Sequence, residues 1–251
     1  MAAGLMSAPL ARCQDAQVRL TFEVATIRPS TATDLNGGIK ALPGGQEYTS
    51  RNVPIKLIIS LMYKVPMRQI EGAPNWLAND RYDIEAKADH GYSVDDLHVM
   101  FQNLLADRFK LKFHKEVRQG NVYALTVDKL GLKMKVNESP QDFNIPINFS
   151  PEGVVGRRVP MVYLCWFLGQ TLQVDGRPVV DKTGLAGNYD FTLTFAPVLP
   201  PDVSRDNLSA AVRDRPSIFN ALRDQLGLKL TAERGPVEYY VIDSVERPSE
   251  N

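Results

Sequence analysis

From Tyr189 to Phe195 the chain alternates strictly. Tyr189, Phe191, Leu193 and Phe195 are interleaved with Asp190, Thr192 and Thr194. A period of two with aromatic and β-branched residues predicts a strand with one buried face. The alternation is preceded by the apolar pair Val179-Val180 and by turns at Gly184 and Gly187. A weaker copy lies upstream, where Pro74-Asn75-Trp76-Leu77 leads through a polar turn to Tyr82-Asp83-Ile84-Glu85-Ala86. Thr21 to Ile27 reads as a first strand, stopped by Pro29. Gly38 to Ala41 and Gln46 to Ser50 read as a hairpin across Pro43-Gly44-Gly45. Asn52 is a candidate N-cap, and Pro54 suits the first turn of a helix whose apolar stripe is Leu57, Ile58, Leu61 and Met62. Ser93, followed by Asp95 and Asp96, opens a second helix running through Leu104 and Leu105. Lys110 to Val117 and Val122 to Val127 then read as a hairpin around Gln119-Gly120.

The second half repeats this order. Phe143 to Phe149 and Gly153 to Arg157 read as a hairpin. Arg158-Val159-Pro160-Met161 echoes Asn52-Val53-Pro54-Ile55 and begins a helix to about Leu172. Tyr189-Asp190-Phe191 echoes Tyr82-Asp83-Ile84. After a last helix begun at Pro216-Ser217, Leu222 to Leu230 echoes Leu105 to Phe113, with Gly227 suited to a left-handed helix end. The final strand, Val237 to Val245, parallels Val122 to Val127. The expected fold is therefore α+β, with two similar subdomains, each laying two helices on a small, mostly antiparallel sheet. The boundaries are an N-terminal extension or signal remnant at 1–20, subdomains at 21–137 and 138–251, and an exposed loop at 197–215.

Composition narrows function mainly by exclusion. Lys plus Arg equals Asp plus Glu, at 29 each, so no net charge draws the chain to nucleic acid. No apolar run is long enough to cross a bilayer. Residues 1–16 are small and weakly apolar without a basic start, which fits either the tail of a secretory signal or a disordered extension. The two cysteines are Cys13 and Cys165, and Cys165 sits in an apolar helical run where a packing thiol is expected.

Four runs resemble one known family: Phe22 to Ser30, Val179 to Phe191, Leu226 to Leu230, and Val241-Ile242-Asp243. It is the soil-associated protein family expanded in Acidobacteria, built on a domain of unknown function. The resemblance covers Phe22 to Asn251, and its longest signal is Asp181-Lys182-Thr183-Gly184-Leu185-Ala186-Gly187-Asn188-Tyr189-Asp190-Phe191. It implies export across the inner membrane. Related domains can follow a membrane-embedded metallopeptidase of the β-lactam-sensor type, a portion this sequence does not contain. The family carries no established activity, so no catalytic residue transfers. The halves also resemble, at fold level, the small N-terminal modules of secretin and TonB proteins.

Candidate chemistry is sparse. His90, His98 and His114 show no metal-ligand spacing. Neither a nucleophile elbow nor a phosphate-binding loop is present. Asp181 and Asp190 could serve as acids or ligands, but Asp in such turns commonly satisfies backbone donors. Trp76 is suited either to packing over a sheet or to lining a ligand groove. The residues singled out are thus Trp76, Asp181, Gly184, Gly187, Tyr189 and Asp190, with no cofactor implied. The expected function is a non-enzymatic extracytoplasmic binding or interaction module, periplasmic or secreted, engaging an unknown protein or envelope partner. The alternative is an envelope hydrolase using Asp181, Asp190 or His98.

Overall fold

The structure, a computed structural model, describes residues 19–33, 37–139, 145–150, 153–172, 176–197, 204, 206 and 208–248. Among them it forms an α+β fold of three four-stranded sheets and six helices. The first sheet contains β1 (Val24–Pro29), β2 (Gly38–Ala41), β3 (Glu47–Pro54) and β5 (Arg81–Lys87), in the order β1-β5-β3-β2. The second contains β7 (Lys135–Val136), β8 (Ile147–Ser150), β9 (Gly153–Pro160) and β11 (Asn188–Leu193), in the order β7-β11-β9-β8. All neighbours within these two sheets are antiparallel. Position for position along the chain, the two orders correspond.

The third sheet does not respect the expected division at residues 137 and 138. Its centre is a long antiparallel pair, β6 (Lys112–Val127) and β12 (Leu228–Ser244). The short β4 (Ile70–Glu71) runs parallel to β12, and β10 (Val179–Asp181) runs parallel to β6. Each half of the chain thus places one strand beside the long strand of the other. Two separate subdomains with a sheet apiece do not describe this arrangement. The expected hairpin at Gln119-Gly120 is also corrected: β6 passes through uninterrupted, and Gly120 stands opposite Gly235 in the ladder. Alternating side chains on both sides of Gly120 satisfy one continuous strand as well as they would satisfy a hairpin.

The helices are α1 (Ile55–Tyr63), α2 (Trp76–Asn79), α3 (Val94–Arg108), α4 (Met161–Thr171), α5 (Ala210–Arg213) and α6 (Ile218–Ala221). Ser93 caps α3 by accepting from the Asp96 N–H. Ser217 caps α6, which continues into a π turn at Leu222–Leu226 and ends at Gly227 with φ +68°. Lys110 holds a similar left-handed conformation after α3, with φ +53°. Asn52 is not an N-cap. It lies inside β3 with φ +53°, and Pro54 precedes the first residue of α1.

The reason is a β-bulge. Arg51 and Asn52 together oppose the single residue Asp83, because the register shifts between Ser50 and Val53. The same two-against-one count recurs in the second sheet, where Arg157 and Arg158 oppose Asp190. Arg158 has φ +50°. Side chains from both halves then close over one connected core that includes Tyr48, Phe101, Leu125, Leu164 and Leu228. The expected tip of the second-sheet hairpin at Pro151-Glu152 and part of the loop at 197–215 lie outside the described residues, as do Cys13 and nearly all of the N-terminal extension.

Candidate functional site

Asp190 pins its bulge. Its Oδ1 accepts the Arg158 N–H at 2.9 Å, and both carboxylate oxygens accept from the Asn137 amide at 2.9 Å. Arg157 stands 3.5 Å away. Partial burial pushes this carboxyl upward, but the Arg158 N–H, the Asn137 amide and the Arg157 charge outweigh it, so its pKa lies below the usual value. Asp83 does the corresponding job in the first sheet, accepting the Asn52 N–H at 2.9 Å. Asp181 is exposed and accepts from the Thr183 N–H at 2.9 Å and the Thr183 hydroxyl at 2.7 Å, closing an Asx turn. Gly184 and Gly187 have φ of +69° and +87° and open space where a Cβ would sit. Backbone conformation alone demands glycine there. Tyr189 and Phe191 are buried, and the Tyr189 hydroxyl donates to the Ala186 carbonyl at 3.0 Å. Trp76 is half-buried, with the Arg247 guanidinium 5.0 Å from its ring centroid and Arg247 also paired to Asp80.

His98 belongs to a different place. It is buried in α3, with Nε2 3.0 Å from the Tyr48 hydroxyl and Nδ1 2.7 Å from Lys64 Nζ. The three groups proposed for hydrolysis, Asp181, Asp190 and His98, therefore engage separate neighbours. The structure does not bring them together.

It does create a cleft that the strand pattern did not announce. A groove of about 910 Å³ runs between β2 and β8, the last strands of the first and second sheets. Leu57 and Leu61 of α1 line it, as do Tyr163, Trp166 and Phe167 of α4. At its rim Phe149 is 78% exposed. The two helices are tied at Ser60, whose Oγ accepts from Trp166 Nε1 at 3.0 Å and from the Gln170 amide at 2.7 Å. Its own hydroxyl proton goes to the Val65 carbonyl at 2.6 Å, so all its hydrogen-bonding capacity is used. Gly169 faces Pro66 so closely that a Cβ there would sit 3.0 Å from the ring.

Sequence reasoning missed Tyr48, Ser60, Lys64 and the groove residues. The available signal was modest: Ser60 and Lys64 are polar residues within the otherwise apolar run from Leu57 to Val65. Cys165 is a buried free thiol, whose pKa is pushed up to about 12 by burial.

Fold and groove together define an α+β protein in which two antiparallel sheets of like strand order are linked through a shared third and flank an apolar cleft. The chain belongs to the family described as a protein of unknown function (DUF3738), which matches residues 56–245. No curated protein and no solved structure matches it. Among the described residues no helix is long and apolar enough to cross a membrane. Among them, too, no three His, Cys, Asp or Glu side chains gather as a metal site.

Proposed function

We propose that this chain is a non-enzymatic binding module whose ligand is an extended apolar peptide segment held in the groove between β2 and β8. The observation that carries the reading is the groove itself. It combines a largely apolar, aromatic lining with two strands, each of which ends its sheet. A terminal strand offers backbone donors and acceptors to an added strand, while neighbouring apolar surface selects alternate side chains. Concave sites lined mainly by apolar and aromatic groups are the common form of ligand pockets.

The test is binding of the full chain to an array of extended apolar peptides. Phe149→Ser and Leu57→Glu should each weaken capture by about tenfold or more, the equivalent of about 1.4 kcal/mol. Phe149 is mostly exposed, so its replacement leaves folding intact. Unchanged capture in both variants would remove the groove as the site. The competing hydrolase reading would gain support if a reporter hydrolysis were found and then lost in Asp190→Asn at unchanged stability.

An extracytoplasmic, envelope-associated setting rests on the resemblance to the exported soil-associated family; fractionation of the native protein tests it. Descent of the two halves from one duplicated unit is supported by the corresponding strand orders, the paired bulges at Asn52 and Arg158, and the left-handed residues Lys110 and Gly227.

A further inference from the structure

Two basic side chains share a single hydrogen bond beneath the end of α1. Lys64 Nζ lies 2.7 Å from His98 Nδ1 and donates to the Leu61 carbonyl at 2.7 Å. His98 Nε2 lies 3.0 Å from the Tyr48 hydroxyl. An ammonium has donors only, and an imidazolium has a donor at each nitrogen. The Lys64–His98 contact therefore survives only while one of its two nitrogens keeps a lone pair. With both groups protonated, N–H faces N–H and two like charges touch.

The surroundings offer little relief. Among the described residues no carboxylate lies within ion-pair distance of Lys64. Asp95 of α3 acts on it from farther off and favours its ammonium form. Tyr163 of α4 presents its ring 5.1 Å from Nζ, and Tyr48 of β3 closes the remaining side of His98. Lys64 is also held in a left-handed conformation, with φ +53°, immediately after α1.

We propose that the Tyr48–His98–Lys64 cluster is an acid-sensitive latch, in which a second proton breaks the Lys64–His98 contact and loosens the end of α1 against α3 and Tyr163 of α4, with the Gln102 amide still donating to the Met62 carbonyl at 2.9 Å. Burial, opposed by Asp95, pushes the Lys64 amine down to about 7. Burial and then the Lys64 charge hold His98 below its ordinary value. Both directions have the same consequence. The open form takes up protons that the closed form resists, so the closed form loses ground as pH falls, for Lys64 from about 10.5 toward about 7 and for His98 from about 6.5 downward. Tyr163 also lines the groove, yet the latch can be tested without any ligand.

The experiment is amide hydrogen exchange on the full chain at about pH 7.5 and about pH 5, corrected for intrinsic rates, with NMR titration of the His98 ring. In the wild type, protection of the Lys64 and Val65 amides should fall by about tenfold or more at the lower pH, while Leu228 to Leu230 in the shared sheet stay protected. His98→Gln keeps an acceptor toward Lys64 but cannot take a proton, so its protection at Lys64 and Val65 should be nearly the same at both pH values. Lys64→Met removes the lesser of the two causes acting on His98 and should reduce the response. Equal loss in His98→Gln, or no loss in the wild type, overturns the proposal. Should a variant fail to fold, the wild type decides alone: ring protonation must coincide with loss of protection, and a ring that titrates without it overturns the latch.

Discussion

At the residue scale, the Tyr-Asp pairs of the two halves carry their weight through backbone geometry. Asp83 and Asp190 each accept the N–H of a left-handed residue across a bulge. Asp190→Ala leaves that donor and the Asn137 amide unpaired in a half-buried place and should cost about 1–3 kcal/mol. Asp190→Asn retains an acceptor and should cost about 1 kcal/mol or less. Chemical denaturation of both variants beside Asp83→Ala measures this. Because the folded Asp190 carboxyl has a lowered pKa, its stabilisation is complete above the ordinary value of 3.8 and disappears as pH drops through the folded value. Denaturation of the wild type should therefore show an acid-side loss below about pH 4 that Asp190→Asn reduces. Tyr189→Ala removes a buried ring and should cost about 3–5 kcal/mol by the same assay.

At the element scale, two glycines separate conformation from space. Gly187 has φ +87° with nothing near its missing Cβ, so Gly187→Val should cost about 1–3 kcal/mol through backbone strain alone. Gly227 has φ +68°, and a Cβ there would overlap the Gly131 carbonyl. Gly227→Val combines strain with a steric conflict at the junction of the π turn and β12, and its loss of stability should exceed that of Gly187→Val. Parallel thermal or urea unfolding of the two variants ranks them. The same logic explains why the first helix starts late. β3 resumes its pairing after the bulge at Arg51 and Asn52 and runs on through Pro54, so the helix begins only at Ile55.

At the scale of the whole molecule, the shared sheet decides how the chain folds. β4 needs β12 as a neighbour, β10 needs β6, and β6 and β12 pair along nearly their full lengths. Residues 19–137 and 138–248 expressed separately should each lack a stable fold, whereas co-expression should restore a complex. Circular dichroism and size-exclusion chromatography of the separate and mixed halves check this. Two fragments that each melt cooperatively on their own would contradict it. Such mutual dependence also brings α1 of one half against α4 of the other at Ser60, and so creates the groove.

The sequence by itself determined the local elements. Alternation located the faces of β5 and β11, Ser93 and Ser217 marked helix starts, and Gly227 marked a helix end, because each depends on residues within a turn or two of one another. It also carried the echoes between halves. Only the tertiary structure decided that Gly120 lies mid-strand opposite Gly235, that Asn52 sits in a bulge instead of capping a helix, and that His98 meets Lys64 and Tyr48. Those outcomes depend on which distant strand or helix lies alongside, and a hydrophobic period records that a face is buried without recording against what. The groove was hidden for the same reason: its lining includes residues of α1, α4, β2, β3 and β8, whose apolar side chains look like ordinary core until two sheets stand on either side of them.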